Sequence, residues 1–336
     1  MGDAERVCMY WAPEGDEGQL RCRLCPHHCL IAEGRTGRCT VRGARGGKLF
    51  PLTYGRVSSV ALDPIEKKPL YHFHPGSRIL SVGSWGCNLA CDFCQNWSLS
   101  HHEVPTQHLP PEAAVRLAQQ QPGNIGLAFT YNEPLIWYEY VLDTSRLLHE
   151  AGLKSVLVTN GETETEPLAE LLPFVDALNV DVKAYGDRFY RELCKGPAAV
   201  PRRTVEVAAA RCHVEVTNLL VTNWNDSEAD IRALVDWLAT VRADIPLHFS
   251  RYHPDHKLDE PPTPLGTLQR ALAIGREQLR FVYVGNARAE GGSDTLCPRC
   301  GRLVVERLGF EARTPGLDPH GRCRDCGAEL NIVTEA

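Results

Sequence analysis

Between residues 78 and 286 the chain alternates seven short apolar runs with longer stretches of helical periodicity, and this alternation constrains the fold more than any other feature. The runs are RILSVGSW (78–85), IGLAFTY (125–131), SVLVTNG (155–161), ALNVDVKA (177–184), VEVTNLLV (214–221), PLHFSRY (246–252) and FVYVGN (281–286). Each is rich in Val, Ile or Leu, as a strand covered on both faces must be. Between the fifth and sixth, SEADIRALVDWLATVRA sets Ile231, Leu234, Val235, Leu238 and Val241 at helical spacing behind a Ser227 or Asp226 cap. Strands alternating with crossover helices form a parallel sheet, and six or seven units suffice for a partial or full βα barrel. The expected fold class is therefore α/β. The expected division is a cysteine-rich N-terminal head (1–50), a barrel (51–290) and a cysteine-rich tail (291–336), the tail being entered through the flexible AEGGSD. No internal repeat or low-complexity tract interrupts this plan.

A barrel of this kind carries its chemistry at the carboxyl ends of its strands. Polar residues there become candidates: Cys87 after the first run, Asn132 and Glu133 after the second, and Thr159 and Asn160 in the third. Asp181 and Lys183 follow in the fourth, Glu215 and Thr217 in the fifth, Arg251 and His253 around the end of the sixth. So many polar groups in one plane are not expected of a plain core.

Eleven of the fourteen cysteines fall into three groups: Cys22, Cys25, Cys29 and Cys39; Cys87, Cys91 and Cys94; and Cys297, Cys300, Cys323 and Cys326. The spacings are those of metal sites rather than of a disulfide framework, and they fit a reducing compartment. GCNLACDFCQN (86–96) supplies only three thiolates, whereas a cubane iron–sulfur cluster takes four. Either one iron keeps an open position, or His101 or His102 completes a zinc site.

The C-x3-C-x2-C pattern of CNLACDFC, with the aromatic Phe93 before its last cysteine, resembles the motif of the radical S-adenosylmethionine (radical SAM) superfamily. That resemblance implies a radical SAM barrel and a [4Fe-4S] cluster on Cys87, Cys91 and Cys94. S-adenosylmethionine would chelate the open iron and be split by one electron into methionine and a 5'-deoxyadenosyl radical. An electron donor such as a flavodoxin or ferredoxin is then implied. TYNEP (130–134), VTNG (158–161), NVDVK (179–183) and RYH (251–253) resemble the cofactor-binding strand ends of glycyl-radical-enzyme activating enzymes, of which the pyruvate formate-lyase activase is one. The match implies Glu133 for the amino group, Thr159, Asn160 and the cation Lys183 around the carboxylate, Asp181 for a monovalent cation there, and His253 for the ribose. Phe93 and Asn132 complete the implied cofactor contacts. Asn132 stands where that family has a glycine, and Val158 where it has an acidic residue. CPHHC, DPIEKKPLYHF, PGSR, FSRYHPDHK, VYVGN and the terminal CPRCG and CRDCG are similar to the radical SAM member of the AmmeMemoRadiSam group. This implies a hydrogen-abstracting oxidoreductase whose partners are Memo-like and Amme-type proteins or a glycyl-radical-type protein substrate.

Residue by residue, plainer readings stand beside these. Glu133 suits a helix cap, Asp181 and Lys183 suit an ion pair, and His253 suits a loop. The tail's two C-x2-C knuckles read as a structural zinc ribbon, with rubredoxin-like iron as the alternative. The head's four cysteines suit zinc or a second iron–sulfur cluster, zinc being slightly favoured. DPIEKKPLYHFHPGSR (63–78) is either a solvated connector or a cover for the barrel mouth that shapes the substrate side, through Lys67 and Lys68. A formal net charge of −6 provides no basic field for nucleic acid. No apolar run approaches the ~18–20 residues of a membrane span, and the start lacks a leader pattern, so a cytoplasmic protein is expected.

Overall fold

The computed structural model describes residues 6–15 and 18–334; the first five residues, on which the reading of the start bears, lie outside that part. Its centre is an eight-stranded sheet: β1 (Ser59–Pro64), β2 (Arg78–Gly83), β3 (Asn124–Phe129), β4 (Lys154–Thr159), β5 (Ala177–Asp181), β6 (His213–Leu220), β7 (Leu247–Arg251) and β8 (Val282–Gly285). Strands β2 to β8 are the seven apolar runs, each paired in parallel with the next. Strand β1 adds antiparallel to the β2 edge, Ser59 opposite Gly83 and Pro64 opposite Arg78. An antiparallel neighbour needs no crossover helix, so β1 carries none of the alternation by which the other strands are read.

Among the described residues, six helices of seven residues or more cover the outside: α1 (Pro111–Gln119), α2 (Tyr138–Glu150), α3 (Thr165–Leu171), α4 (Ala199–Ala208), α5 (Glu228–Val241) and α6 (Leu265–Arg276). The Ser227 hydroxyl caps α5 by accepting from the Asp230 N–H at 3.1 Å, as its sequence suggests. Outward-facing strand residues such as Leu80, Leu127, Leu157, Leu178, Val216 and Leu247 join the helices in one apolar core. Burying each such side chain contributes about 1.5–3 kcal/mol.

The connector does not cover the mouth. Ile65, Leu70 and Phe73 pack against Ile79, Ala128, Val156 and Ala177 of the strands, so the segment plugs the barrel below its mouth. Lys68 is buried there and donates to Asp63 at 2.7 Å, while Asp63 also accepts from Lys67 and from the Tyr131 hydroxyl. The physical reason is the chain path: residues 65–77 join the far end of antiparallel β1 to the start of β2, and that turn can only lie at the bottom.

The tail completes the floor. Tyr71, Phe281 and Tyr283 pack with Val304, Val305, Leu317, Leu330 and Ile332. Arg307 reaches inward to the Thr295 hydroxyl at 2.8 Å and to the Tyr71 carbonyl at 2.6 Å. The head sits against the flank of the barrel through a buried ion pair between Arg42 and Glu139 of α2, 3.0 Å apart.

Candidate active site

The loop after β2 brings Cys87, Cys91 and Cys94 to one cavity at the carboxyl ends of the strands. Gly86 permits this path: its φ is +92°, and a Cβ there would meet the Cys39 carbonyl oxygen at 2.7 Å and Val41 at 2.6 Å. The Cys87 sulfur accepts from the Leu89 N–H at 3.4 Å and from the Asn160 side chain at 3.5 Å. Cys194 lies against Cys91 but not on the cavity wall, so it offers no fourth sulfur toward that space. Burial pushes the Cys87 and Cys94 thiols up; the hydrogen bond with Cys194 and then burial do the same to Cys91. Three thiolates held in such a place require bound cations to stabilise them.

Glu133 leaves β3 just past Tyr131 and is almost wholly buried. One of its oxygens accepts from the Thr159 hydroxyl at 2.6 Å and the Leu135 N–H at 2.8 Å, the other from the Asn160 N–H at 2.8 Å. Burial pushes this carboxyl up to about 7, against the pull of those three donors. Capping and lining the cavity thus coexist in one side chain. Asp181 and Lys183, at the end of β5, form an ion pair of 2.9 Å on the same wall. Burial works against the Lys183 ammonium, but Asp181 and the thiols of Cys91 and Cys194 outweigh it and hold its charge. The Phe93 ring lies 5.9 Å from the Lys183 Nζ.

Of the candidates, Cys87, Cys91, Cys94, Phe93, Asn132, Glu133, Thr159, Asn160, Asp181, Lys183 and Thr217 all line this cavity. Asn132 spends its amide on the turn, accepting from the Ser84 N–H at 2.8 Å and donating to the Trp85 carbonyl at 3.2 Å. His253 is not brought to the cavity: it is exposed, because the Tyr252 N–H is tied to the Thr263 hydroxyl and the chain turns away after β7. Glu215 is also elsewhere, buried on the floor among His213, His248 and the His72 N–H. Sequence reading missed Tyr131, Ser250 and Asn286 on the wall. Ser250 and Asn286 follow from the strand-end rule applied to the last two runs. Tyr131 does not, since its left-handed backbone, φ +73°, is a property of the turn. His101 and His102 lie off the wall, beside Trp97 and His256.

The tail's Cys297, Cys300, Cys323 and Cys326 bring their sulfurs within 4.8 Å of one another, with two pairs at 3.6 Å. Ligands of one tetrahedral ion at Zn–S of about 2.3 Å sit about 3.8 Å apart, so the set fits a single metal ion. No helix among the described residues is long and apolar enough to cross a membrane.

Residues 83–238 match the family model described as the radical SAM superfamily. The chain is 42% identical over 326 residues to an uncharacterised protein of Methanocaldococcus jannaschii, covering 95% of this chain and 97% of that one. It is 25% identical over 187 residues to a pyruvate formate-lyase-activating enzyme of Clostridium pasteurianum, covering 53% of this chain and 76% of that one. A radical SAM methyltransferase from Sphaerobacter thermophilus superposes with a TM-score of 0.49 at 20% identity, over 69% of this chain and 71% of that one.

Proposed function

The chain belongs to the radical SAM superfamily, and from that premise we propose that it is an oxidoreductase that cleaves S-adenosylmethionine reductively and removes a hydrogen atom from a substrate held above the barrel mouth. The supporting observation is a single cavity whose wall carries three cysteines, a buried carboxylate and a partly buried lysine, with no other cysteine sulfur on it among the described residues. A [4Fe-4S] cluster and S-adenosylmethionine supply, when bound, the one-electron cleavage of a carbon–sulfur bond that yields methionine and a carbon-centred radical. Cys87, Cys91 and Cys94 would hold the cluster.

The chain's own part is to bind, orient and exclude water. Glu133, fixed by three donors, presents a carboxylate to the ligand's amino group. Thr159 and Asn160 hold that carboxylate in place rather than reaching the ligand through their own donors. Lys183 offers a cation to the ligand's carboxylate once it turns from Asp181. Phe93 covers one side of the lysine and sheds water from it. A buried site made in this way strengthens each of these charge pairings.

The likeness to an activating enzyme supports a glycyl-radical-type protein as one substrate class; a small molecule or peptide handled with Memo-like and Amme-type partners is the other. A flavodoxin or ferredoxin would supply the electron, zinc would occupy the tail, and the cytoplasm would be the setting. The test is a reconstituted, reduced sample with S-adenosylmethionine. 5'-Deoxyadenosine is the expected product, and its absence beside a working radical SAM control would overturn the proposal. Zinc alone, without iron, would point to a non-catalytic scaffold instead.

A further inference from the structure

The head's four cysteines differ from the tail's in one measurable way. Cys22, Cys25, Cys29 and Cys39 line one small closed space. Among the described residues, however, only the tail set brings three or more ligand atoms within 4.8 Å of one another. Cysteines that share one tetrahedral ion must come that close, whereas cysteines that each bind a separate iron of a cubane stand further apart. In neither the head set nor Cys87, Cys91 and Cys94 do three sulfurs lie within 4.8 Å of one another. The two sets also share one kind of polar support: the Cys29 sulfur accepts from the Arg38 N–H at 3.4 Å, as Cys87 accepts from Leu89 at the same distance.

The two sites adjoin. Asn88, next to Cys87, is a hydrogen-bond partner of Cys25, and its backbone carbonyl meets the His27 ring nitrogen at 2.7 Å. The Asn88 side-chain oxygen accepts at 3.0 Å from Asn160, which donates in turn to the Cys87 sulfur. Arg35, Arg38, Arg45 and Lys48 are exposed on the head, with Glu33 the one acidic residue between positions 20 and 48, whereas Arg23 lies among Glu14, Glu164 and Glu166.

We propose that Cys22, Cys25, Cys29 and Cys39 hold a second iron–sulfur cluster, and that this cluster is where electrons enter from an acidic donor protein carrying a flavin or an iron–sulfur group. The donor loses one electron and the head cluster is reduced by it. The head cluster is reoxidised when the electron passes by way of Asn88 to the cluster at the mouth. No bond is made or broken in the relay. The relay rests on the function proposed above; the second cluster does not.

The test begins with the full chain in which Cys87→Ala, Cys91→Ala and Cys94→Ala are combined, leaving the head intact. About four irons and four sulfides per chain, and a paramagnetic signal on one-electron reduction, are expected. About one extra zinc with no iron, or no metal in the head at all, overturns the second cluster whatever the fate of S-adenosylmethionine. In the same variant, reduced ferredoxin should reduce the head cluster, and Arg35→Glu with Arg38→Glu should slow that reduction at least tenfold; an unchanged rate removes these cations as the entry point. In the chain with an intact mouth, Cys22→Ser with Cys29→Ser should keep about four irons and lose at least tenfold in ferredoxin-driven cleavage. Unchanged cleavage overturns the relay.

Discussion

The mouth and the floor of the barrel are built from the same kinds of residue and do different things. At the mouth, Glu133, Thr159, Asp181, Lys183 and Ser250 line an open cavity beside the cysteines while several of them also bond one another. On the floor, Glu215, His213, His248, His72, Tyr283 and Arg307 are equally polar, yet they bond one another or the nearby backbone. Glu215 accepts from both histidine rings at 3.0 and 2.6 Å and from the His72 N–H at 2.6 Å, so its lone pairs are used. A crowd of buried polar groups is therefore no mark of a site by itself. What separates the two ends is that the mouth groups, though bonded to one another, also border an open cavity beside three cysteines.

The largest expected contrast is in chemistry. Cys91→Ala should reduce deoxyadenosine formation to background, because two thiolates do not hold a cubane that needs three from the protein. Product analysis by chromatography checks it, and turnover by the variant would break the assignment of the mouth. Next is stability. Glu215→Ala should cost about 3–5 kcal/mol, as it leaves two buried histidines without their acceptor. Denaturant unfolding reads this, while the affinity of the remaining folded protein for S-adenosylmethionine should be unchanged. A selective loss of that affinity would make the floor part of the site.

A smaller effect belongs to Lys183→Met. Losing a charge-assisted hydrogen bond of about 1.5–3 kcal/mol should weaken S-adenosylmethionine binding roughly 10- to 100-fold by calorimetry. Stability should change little, since Asp181 keeps about a third of its side chain in solvent and can be hydrated. Equal loss of stability and affinity would make the pair structural, and the mouth and floor would then be alike.

The sequence carried the mouth further than the floor. Seven strands were legible because parallel strands buried on both faces are continuous apolar runs. The cysteine loop was legible because its spacing is local. Both are short-range patterns. The floor depends on contacts between residues far apart, such as Arg307 with Tyr71 and His72 with Leu330, and no local spacing announces them. For the same reason the packing of the 63–78 segment is not legible in the sequence: Lys67 and Lys68 look like solvent-facing charges until Asp63 is seen to pair with both, and Asp63 also accepts from Tyr131 of the cavity wall. His253 stands outside the cavity although the residues before it end the strand. Arg251 and Tyr252 end the strand as expected, and the departure of the chain is set by Thr263, eleven residues beyond the Tyr252 N–H it accepts from.

The finest test uses proton linkage on the floor. Burial pushes the Glu66 carboxyl up to about 7, with the Gly76 N–H opposing at 2.8 Å and Arg307 at longer range. One of its oxygens is buried without a hydrogen-bond partner. In the unfolded chain the same group titrates near its ordinary value of about 4.3, so between those two values the folded state holds a proton that the unfolded state has released. Stability should accordingly fall as pH rises from about 4.5 to 7. Glu215 runs the other way: burial pushes it up, but His213 and His248 outweigh burial and hold it low, so its share is lost only in acid. Glu66→Gln should therefore flatten the neutral slope by on the order of 1–3 kcal/mol and leave the acid limb intact, as read by denaturant unfolding across pH. A residual slope should persist from Glu133 at the mouth, likewise pushed up to about 7. If Glu66→Gln leaves the neutral slope whole, the floor is wetter than its packing implies and the contrast between the two ends narrows.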